Sequence, residues 1–369
     1  MCKSSKPIIY SLIPNLRTIE GHDYIYHLSV QQAAKINNMP FAASIPCAFT
    51  QPDLPSNWEK KFSNIINRYK SISIFIRLRE FSKIFQKKQE RNRVFFLESF
   101  NTYEFVALAL SVLFSMNKKE SLLLLLRYDL SLIRKRTYLT IIKLISWKLK
   151  KKLVLLTDSD LLMKSWQKAC KRPVHLVPIP HTVHMMSPPT IWKEDKCLCW
   201  WPGEPRKAKG LSTIQQLCTL HDPISSKMKL ILSEETPIAS MKQSLTLTLI
   251  SGRLSRADYL HWLHKCDVVF LPYDPKIYAN GTSGIFVEAI CAGKMVLVKD
   301  KSWLAYELKR FELDQLIVDW ENPYFFSHLN TLRDDSSIKK KLEKMRKAYR
   351  NFHSVESFAK TLKVILELL

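Results

Sequence analysis

The chain has 369 residues, enough for two domains of moderate size that each bury a core. Apolar residues make up 46% and charged residues 24%, which excludes a disordered chain. With 57 Lys and Arg against 33 Asp and Glu, the net charge of +24 calls for an anionic partner without choosing among phosphate, nucleic acid and an acidic membrane face.

Eight scattered Cys, and a start (1–7) bearing Lys but no apolar run, predict reduced thiols in a cytoplasmic protein. The longest apolar stretches, 106–114 and 122–126, fall short of the roughly 20 residues a membrane span requires. Glycine is scarce. Average usage of about 7% would supply roughly two dozen, whereas there are seven, at 21, 203, 210, 252, 281, 284 and 293. Six of them crowd between residues 201 and 294, which points to a ligand there.

In chain order, the run 8–13 predicts a first strand, followed by the turn Gly21-His22-Asp23, a helix over 24–36 and a strand over 40–45. A long basic insertion over 58–93 comes next. Strands at 94–97, 122–126 and 153–156 alternate with helices at 103–116 and 139–149. The segment 175–189, with Pro178, Pro180, Pro188 and Pro189, reads as a linker. The second half repeats the alternation, with strands at 197–201, 229–233, 245–250, 268–271 and 296–298 and helices between them. A helical region over 338–369 breaks near His353. The pattern predicts an α/β protein of two Rossmann-like domains, 1–180 and 181–352, with 353–369 a helix that packs back on the first.

Two segments of the second domain carry anion chemistry. Trp201-Pro202-Gly203-Glu204-Pro205-Arg206-Lys207-Ala208-Lys209-Gly210 follows a strand and precedes a helix, at the sheet edge where open α/β sheets bind ligands. Gly203 permits a close approach of the backbone, Arg206 offers a planar fork and Lys209 a point charge. Asp267 to Tyr273 is a strand ending in a turn, and Gly281-Thr282-Ser283-Gly284 then opens a helix over 285–292. Free amides and the helix dipole make an anion site there, and Glu288, one turn in, can reach a ribose hydroxyl.

In these residues the sequence resembles the retaining glycosyltransferases of the GT-B fold, of the group-one or family-four type. Pro202-Gly203, Arg206 and Lys209-Gly210 look like that family's basic donor loop, and 267–273 with Ser283-Gly284-Ile285-Phe286-Val287-Glu288-Ala289 looks like its donor-ribose signature. The resemblance covers about 200–299, and the N-terminal half by architecture and the Gly21-His22 turn. It implies two domains facing a central cleft and a nucleotide-diphosphate sugar as donor substrate, with no metal or other cofactor. Arg206 and Lys209 would neutralise the departing diphosphate, with Gly203, Thr282, Ser283 and Gly284 around it and Glu288 on the ribose. At position 280, eight before Glu288, the family carries an acid and this chain has Asn. On the acceptor side, Glu98, Arg127 and His22 are the candidates, each following a strand or turn.

Other features have plainer readings. Asp158-Ser159-Asp160 reads as a pair of helix caps, and Cys197 and Cys199 as core thiols. The stretch 134–152 is a basic amphipathic helix with an interfacial Trp147, and together with the basic 87–93 region it suggests peripheral contact with an anionic membrane and a lipid-linked acceptor. A glycan is the other acceptor class. The absence of a recognition helix, zinc finger or ribonucleoprotein strand weighs against nucleic acid. Alternatives to sugar transfer are a GT-B relative such as an epimerase or phosphorylase, and a catalytically silent binding protein.

Overall fold

A computed structural model describes residues 6–20, 22–51, 54–64, 70–87, 91–182, 196–238 and 245–369. The chain forms two compact units, one of residues 1–181 with 355–369 and the other of residues 182–354.

In the first unit, β1 (Ile8–Leu12), α1 (His22–Ile36), β2 (Phe41–Pro46), β3 (Trp58–Phe62), α2 (Lys70–Gln86), β4 (Arg93–Leu97), α3 (Thr102–Ser115), β5 (Ser121–Leu125), α4 (Lys135–Leu149), β6 (Leu153–Thr157), α5 (Asp160–Cys170) and β7 (Val174–Leu176) follow one another. The strands make one parallel sheet in the order β3-β2-β1-β4-β5-β6-β7. The runs Val94-Phe95-Phe96-Leu97, Leu122-Leu123-Leu124-Leu125 and Leu153-Val154-Leu155-Leu156 are apolar throughout because both faces of a parallel sheet are covered. Their side chains divide by the period of two. Phe95, Leu97, Leu122, Leu124 and Leu155 join a core with α2 to α5, whereas Val94, Phe96, Leu123, Leu125 and Leu156 join one with α1 and the last helix, α12 (Val355–Glu367).

Four sequence expectations need correction. The segment 58–93 is no insertion, since it supplies edge strand β3 and helix α2. Lys60 and Lys61 sit exposed on β3, as edge strands require, and the α2 cations disguise an apolar side of Leu78, Phe81, Ile84 and Phe85. Arg93 is likewise no surface charge. It is buried, bonds Glu120 at 2.6 Å and donates to the Ile84 and Phe85 carbonyls that close α2. The linker cannot begin at His175, which lies in β7. Pro188, Pro189 and His184 fall outside the described residues, as does Gly21. In Asp158-Ser159-Asp160 the cap is Ser159, whose hydroxyl accepts from the Leu162 amide at 3.2 Å, while Asp158 pairs with Arg127.

The second unit runs β8 (Cys197–Trp200), α6 (Leu211–Thr219), β9 (Met228–Ser233), β10 (Thr246–Ile250), α7 (Arg256–Lys265), β11 (Val268–Leu271), α8 (Gly284–Cys291), β12 (Met295–Val298), α9 (Trp303–Arg310), α10 (Phe325–Asp334) and α11 (Ser336–Phe352). Its parallel sheet has the order β10-β9-β8-β11-β12. Cys197 and Cys199 are buried in β8 with their sulfurs 3.8 Å apart, and burial pushes the Cys199 thiol well above its usual range. α11 ends at His353. The backbone there then passes to α12, which lies on α1: Asn37 Nδ2 donates to the Ala359 carbonyl at 2.8 Å, and the Phe358 ring meets Tyr26 at 6.2 Å. Thr182 Oγ1 donates to the His353 carbonyl, so the two places where the chain changes unit lie side by side.

Candidate active site

Each sheet has one place where strand order reverses, and open α/β sheets bind ligands beyond the strand ends at such a place. In the second unit it falls between β8 and β11. The loop leaving β8 passes the buried Trp201 and Pro202, reaches Gly203 at a φ of +87°, makes one tight turn over Lys207–Lys209 and enters α6 through Gly210 at +83°. Those values favour glycine.

The loop packs directly on the turn after β11. The Asp274 amide donates to the Ala208 carbonyl at 2.9 Å, and a side chain at Gly210 would meet the Pro272 carbonyl oxygen at 2.2 Å. Trp201 Nε1 fixes the other side by donating to the Lys209 carbonyl at 3.0 Å. A Cβ on Gly203 would lie 2.5 Å from Lys209 Nζ and 3.8 Å from Ile285 Cδ1 in the first turn of α8. The Lys209 ammonium therefore crosses over Gly203 beside the start of that helix. Thr282, Gly284 and Ile285 are half-buried there, and buried Ser283 caps α8 by accepting from the Phe286 amide at 3.2 Å.

Burial, then the neighbouring Arg206 charge, brings the Lys209 pKa down to about 8. An ammonium so placed gains more from an anion than an exposed one does, because less water must be displaced. Arg206 is exposed and paired with Glu204. Glu288 lies on the same helix but is buried, with Arg256 Nη2 at 2.7 Å and a hydrogen bond to Tyr259. Arg256 and Tyr259 open α7, and the sequence did not reveal them: Ser255-Arg256-Ala257-Asp258 reads as a helix cap, which it also is, with Ser255 accepting from the Asp258 amide at 3.1 Å. Only the folded chain brings α7 to α8.

The reversal in the first sheet lies between β1 and β4, and the acceptor-side candidates meet there. His22 opens α1 after β1, Glu98 follows β4, Arg127 follows β5 and Asp158 follows β6. His22 Nε2 lies 2.8 Å from Glu98 Oε1 and 2.6 Å from Arg127 Nη1, while Arg127 also bonds Glu98 and donates from Nε to Asp158 at 2.8 Å. Sequence reasoning missed two more members. His27 Nε2 lies 3.2 Å from Glu98 Oε2, with its Nδ1 2.9 Å from Ser11, and Asp158 completes the far side of Arg127. Strand-end position was the signal for Asp158; His27 lies outside the three- or four-residue spacing from His22 that marks one helix face, so the sequence carried no signal for it.

Glu98 is fully buried, so the cost of its charge has to be repaid. Burial pushes its pKa up, and the Arg127 and His22 charges more than offset this, leaving it well below the usual carboxylate range. His22 is the outward member, with 39% of its side chain exposed against 21% for Arg127. Nε2 of His22 faces both the Glu98 carboxylate and the Arg127 guanidinium, so these two groups fix the orientation of the imidazole.

No known family pattern and no curated protein matches the sequence. Solved structures match its whole length. A glycosyltransferase from Rickettsia africae ESF-5 superposes with a TM-score of 0.72 at 13% identity over 98% of each chain. A trehalose-6-phosphate structure from E. coli bound with UDP-2-fluoro glucose gives 0.64 at 10% identity, again over 98% of each. A structure assigned to a UDP-N-acetylglucosamine 2-epimerase of Listeria monocytogenes gives 0.59 at 12% identity, over 98% of this chain and 95% of that one. The chain thus has the GT-B fold.

Proposed function

We propose that this protein is a glycosyltransferase that moves a hexose or related sugar from a nucleotide-diphosphate sugar to a glycan or lipid-linked acceptor, with retention at the anomeric carbon and without a metal. The observation that carries the reading is the meeting of Lys209, Gly203 and the first turn of α8 at the sheet reversal of the second unit. A diphosphate there would find the Lys209 and Arg206 charges on one side and the amides around Ser283 and Gly284 on the other. These groups gain most as negative charge builds on the departing diphosphate, so they lower the barrier rather than merely bind. Glu288, steadied by Arg256 and Tyr259, would accept from ribose hydroxyls. That the neighbour from E. coli was solved with UDP-2-fluoro glucose supports a uridine nucleotide as the first donor to try.

In the first unit His22, the outward member, would contact the acceptor hydroxyl, with Arg127 beside it and the buried Glu98 holding both in place. The His22–Glu98 pair also favours a second reading, in which the His22 imidazole takes the acceptor proton and the sugar inverts. Arg206→Ala and Lys209→Ala should each weaken nucleoside diphosphate binding by roughly tenfold or more, since a charge-assisted hydrogen bond contributes about 1.5–3 kcal/mol. Titration calorimetry with chelator present measures this, and undiminished affinity in both variants would remove the mechanism. Proton NMR of the product separates retention from inversion, and a donor isomerised without acceptor would identify an epimerase.

A further inference from the structure

Helices α2, α3 and α4 lie side by side on one face of the first sheet. Ser82 and Gln86 of α2 bond Ser111 and Ser115 of α3 at 3.4 Å, and Lys148 of α4 donates to the Leu113 carbonyl of α3 at 2.9 Å. Their inner sides fill the core. Their outer sides carry large apolar groups that no packing need explains: Phe114 is 80% exposed, Trp147 77% and Phe75 66%, with Leu144 and Ile72 at 43%. Single exposed apolar residues are ordinary, but five on three adjoining helices are not.

The charge on this face has one sign. Glu80 and Glu104 are the only carboxylates of the three helices, and both are buried, in contact with Arg77. Arg79, Lys83 and Lys143 point outward among the aromatics, and exposed Lys118, Lys150 and Lys151 cluster at the ends of α3 and α4. With Trp147 and Lys152 the last three border a groove of about 500 Å³. A solvated helical face mixes both signs, whereas aromatic and aliphatic groups ringed by cations suit the boundary between acyl chains and anionic headgroups. Among the described residues no helix is long and apolar enough to cross a membrane, so contact would be from one side.

We propose that the outer face of α2, α3 and α4 docks on an anionic lipid bilayer. Nucleic acid fits less well, because Leu144, Ile72 and Phe114 offer a backbone of phosphates nothing to bond. The test is sedimentation of the full chain with phosphatidylcholine vesicles, with and without phosphatidylglycerol, at about 0.15 M salt. The wild type should bind only the anionic vesicles. Reversing Lys143, Lys150 and Lys151 to Glu should lower the partition coefficient on the order of a hundredfold, at about 1 kcal/mol per cation. The double variant Phe114→Ser, Trp147→Ser should lower it roughly tenfold with circular dichroism unchanged. Should that variant unfold, Trp147→Ser alone serves. Absence of binding, equal binding to neutral vesicles, or undiminished binding by the variants would overturn the proposal, as would a single-stranded oligonucleotide bound in place of vesicles.

Discussion

Lys209 joins burial to chemistry. Its pKa of about 8, against an ordinary 10.5, means that the native protein sheds this proton before the unfolded chain does. The burial penalty is therefore present in full below about pH 8 and is relieved as pH rises toward 10.5. Binding runs the opposite way, because a diphosphate needs the charged form. Nucleoside diphosphate affinity should fall as pH rises through about 8 in the wild type, and the fall should vanish in Lys209→Ala. Calorimetric titration from pH 6 to 10 measures both, and a parallel decline in the variant would assign the effect to another group.

At the scale of elements, α12 completes the side of the first sheet that α1 covers incompletely. Val355, Phe358, Ala359, Leu362 and Ile365 are buried there with Val30, Ala33 and Ala34. Phe358→Ala should cost about 3–5 kcal/mol, lowering the urea midpoint of the first unit, because the cavity would be walled by two helices and a sheet that cannot all move inward. A loss below about 1 kcal/mol would show that the helix rests there loosely.

The same scale shows what could be read from residues. β4, β5 and β6 were legible because a strand buried on both faces is apolar throughout, and their ends located Glu98 and Arg127. β3 and α2 were not, since an edge strand may carry Lys60 and Lys61 and cations interrupt the apolar residues along α2. β7, three residues long, gives no period to detect. The turn into α6 and the Ser283-Gly284 helix start were legible as local structure, but the contact of the loop with the turn after β11 through Asp274 and Pro272 was not. The pairing of Glu288 with Arg256 was also hidden, for it depends on how two helices lie on one sheet.

For the whole molecule, the two units differ in how the chain supplies them. The second is one uninterrupted segment, 182–354, holding β8, β11, α8 and every residue proposed to hold the donor. That fragment should fold by itself and bind nucleoside diphosphate with the affinity of the full chain within about threefold, since effects of distant parts are usually additive within about 0.5 kcal/mol. Fragment 1–181 should aggregate unless a peptide of residues 355–369 is added. Soluble, cooperative unfolding of 1–181 alone would refute that dependence.

Because α12 comes last, the ribosome releases the pieces in an awkward order. The first seven strands emerge long before the helix that seals one side of them, and all of the second unit is synthesised in between. The inserted unit is free to finish while the earlier one waits with Tyr26, Val30 and Phe96 uncovered. A nascent chain stalled just before residue 355 should be the form that chaperones hold longest.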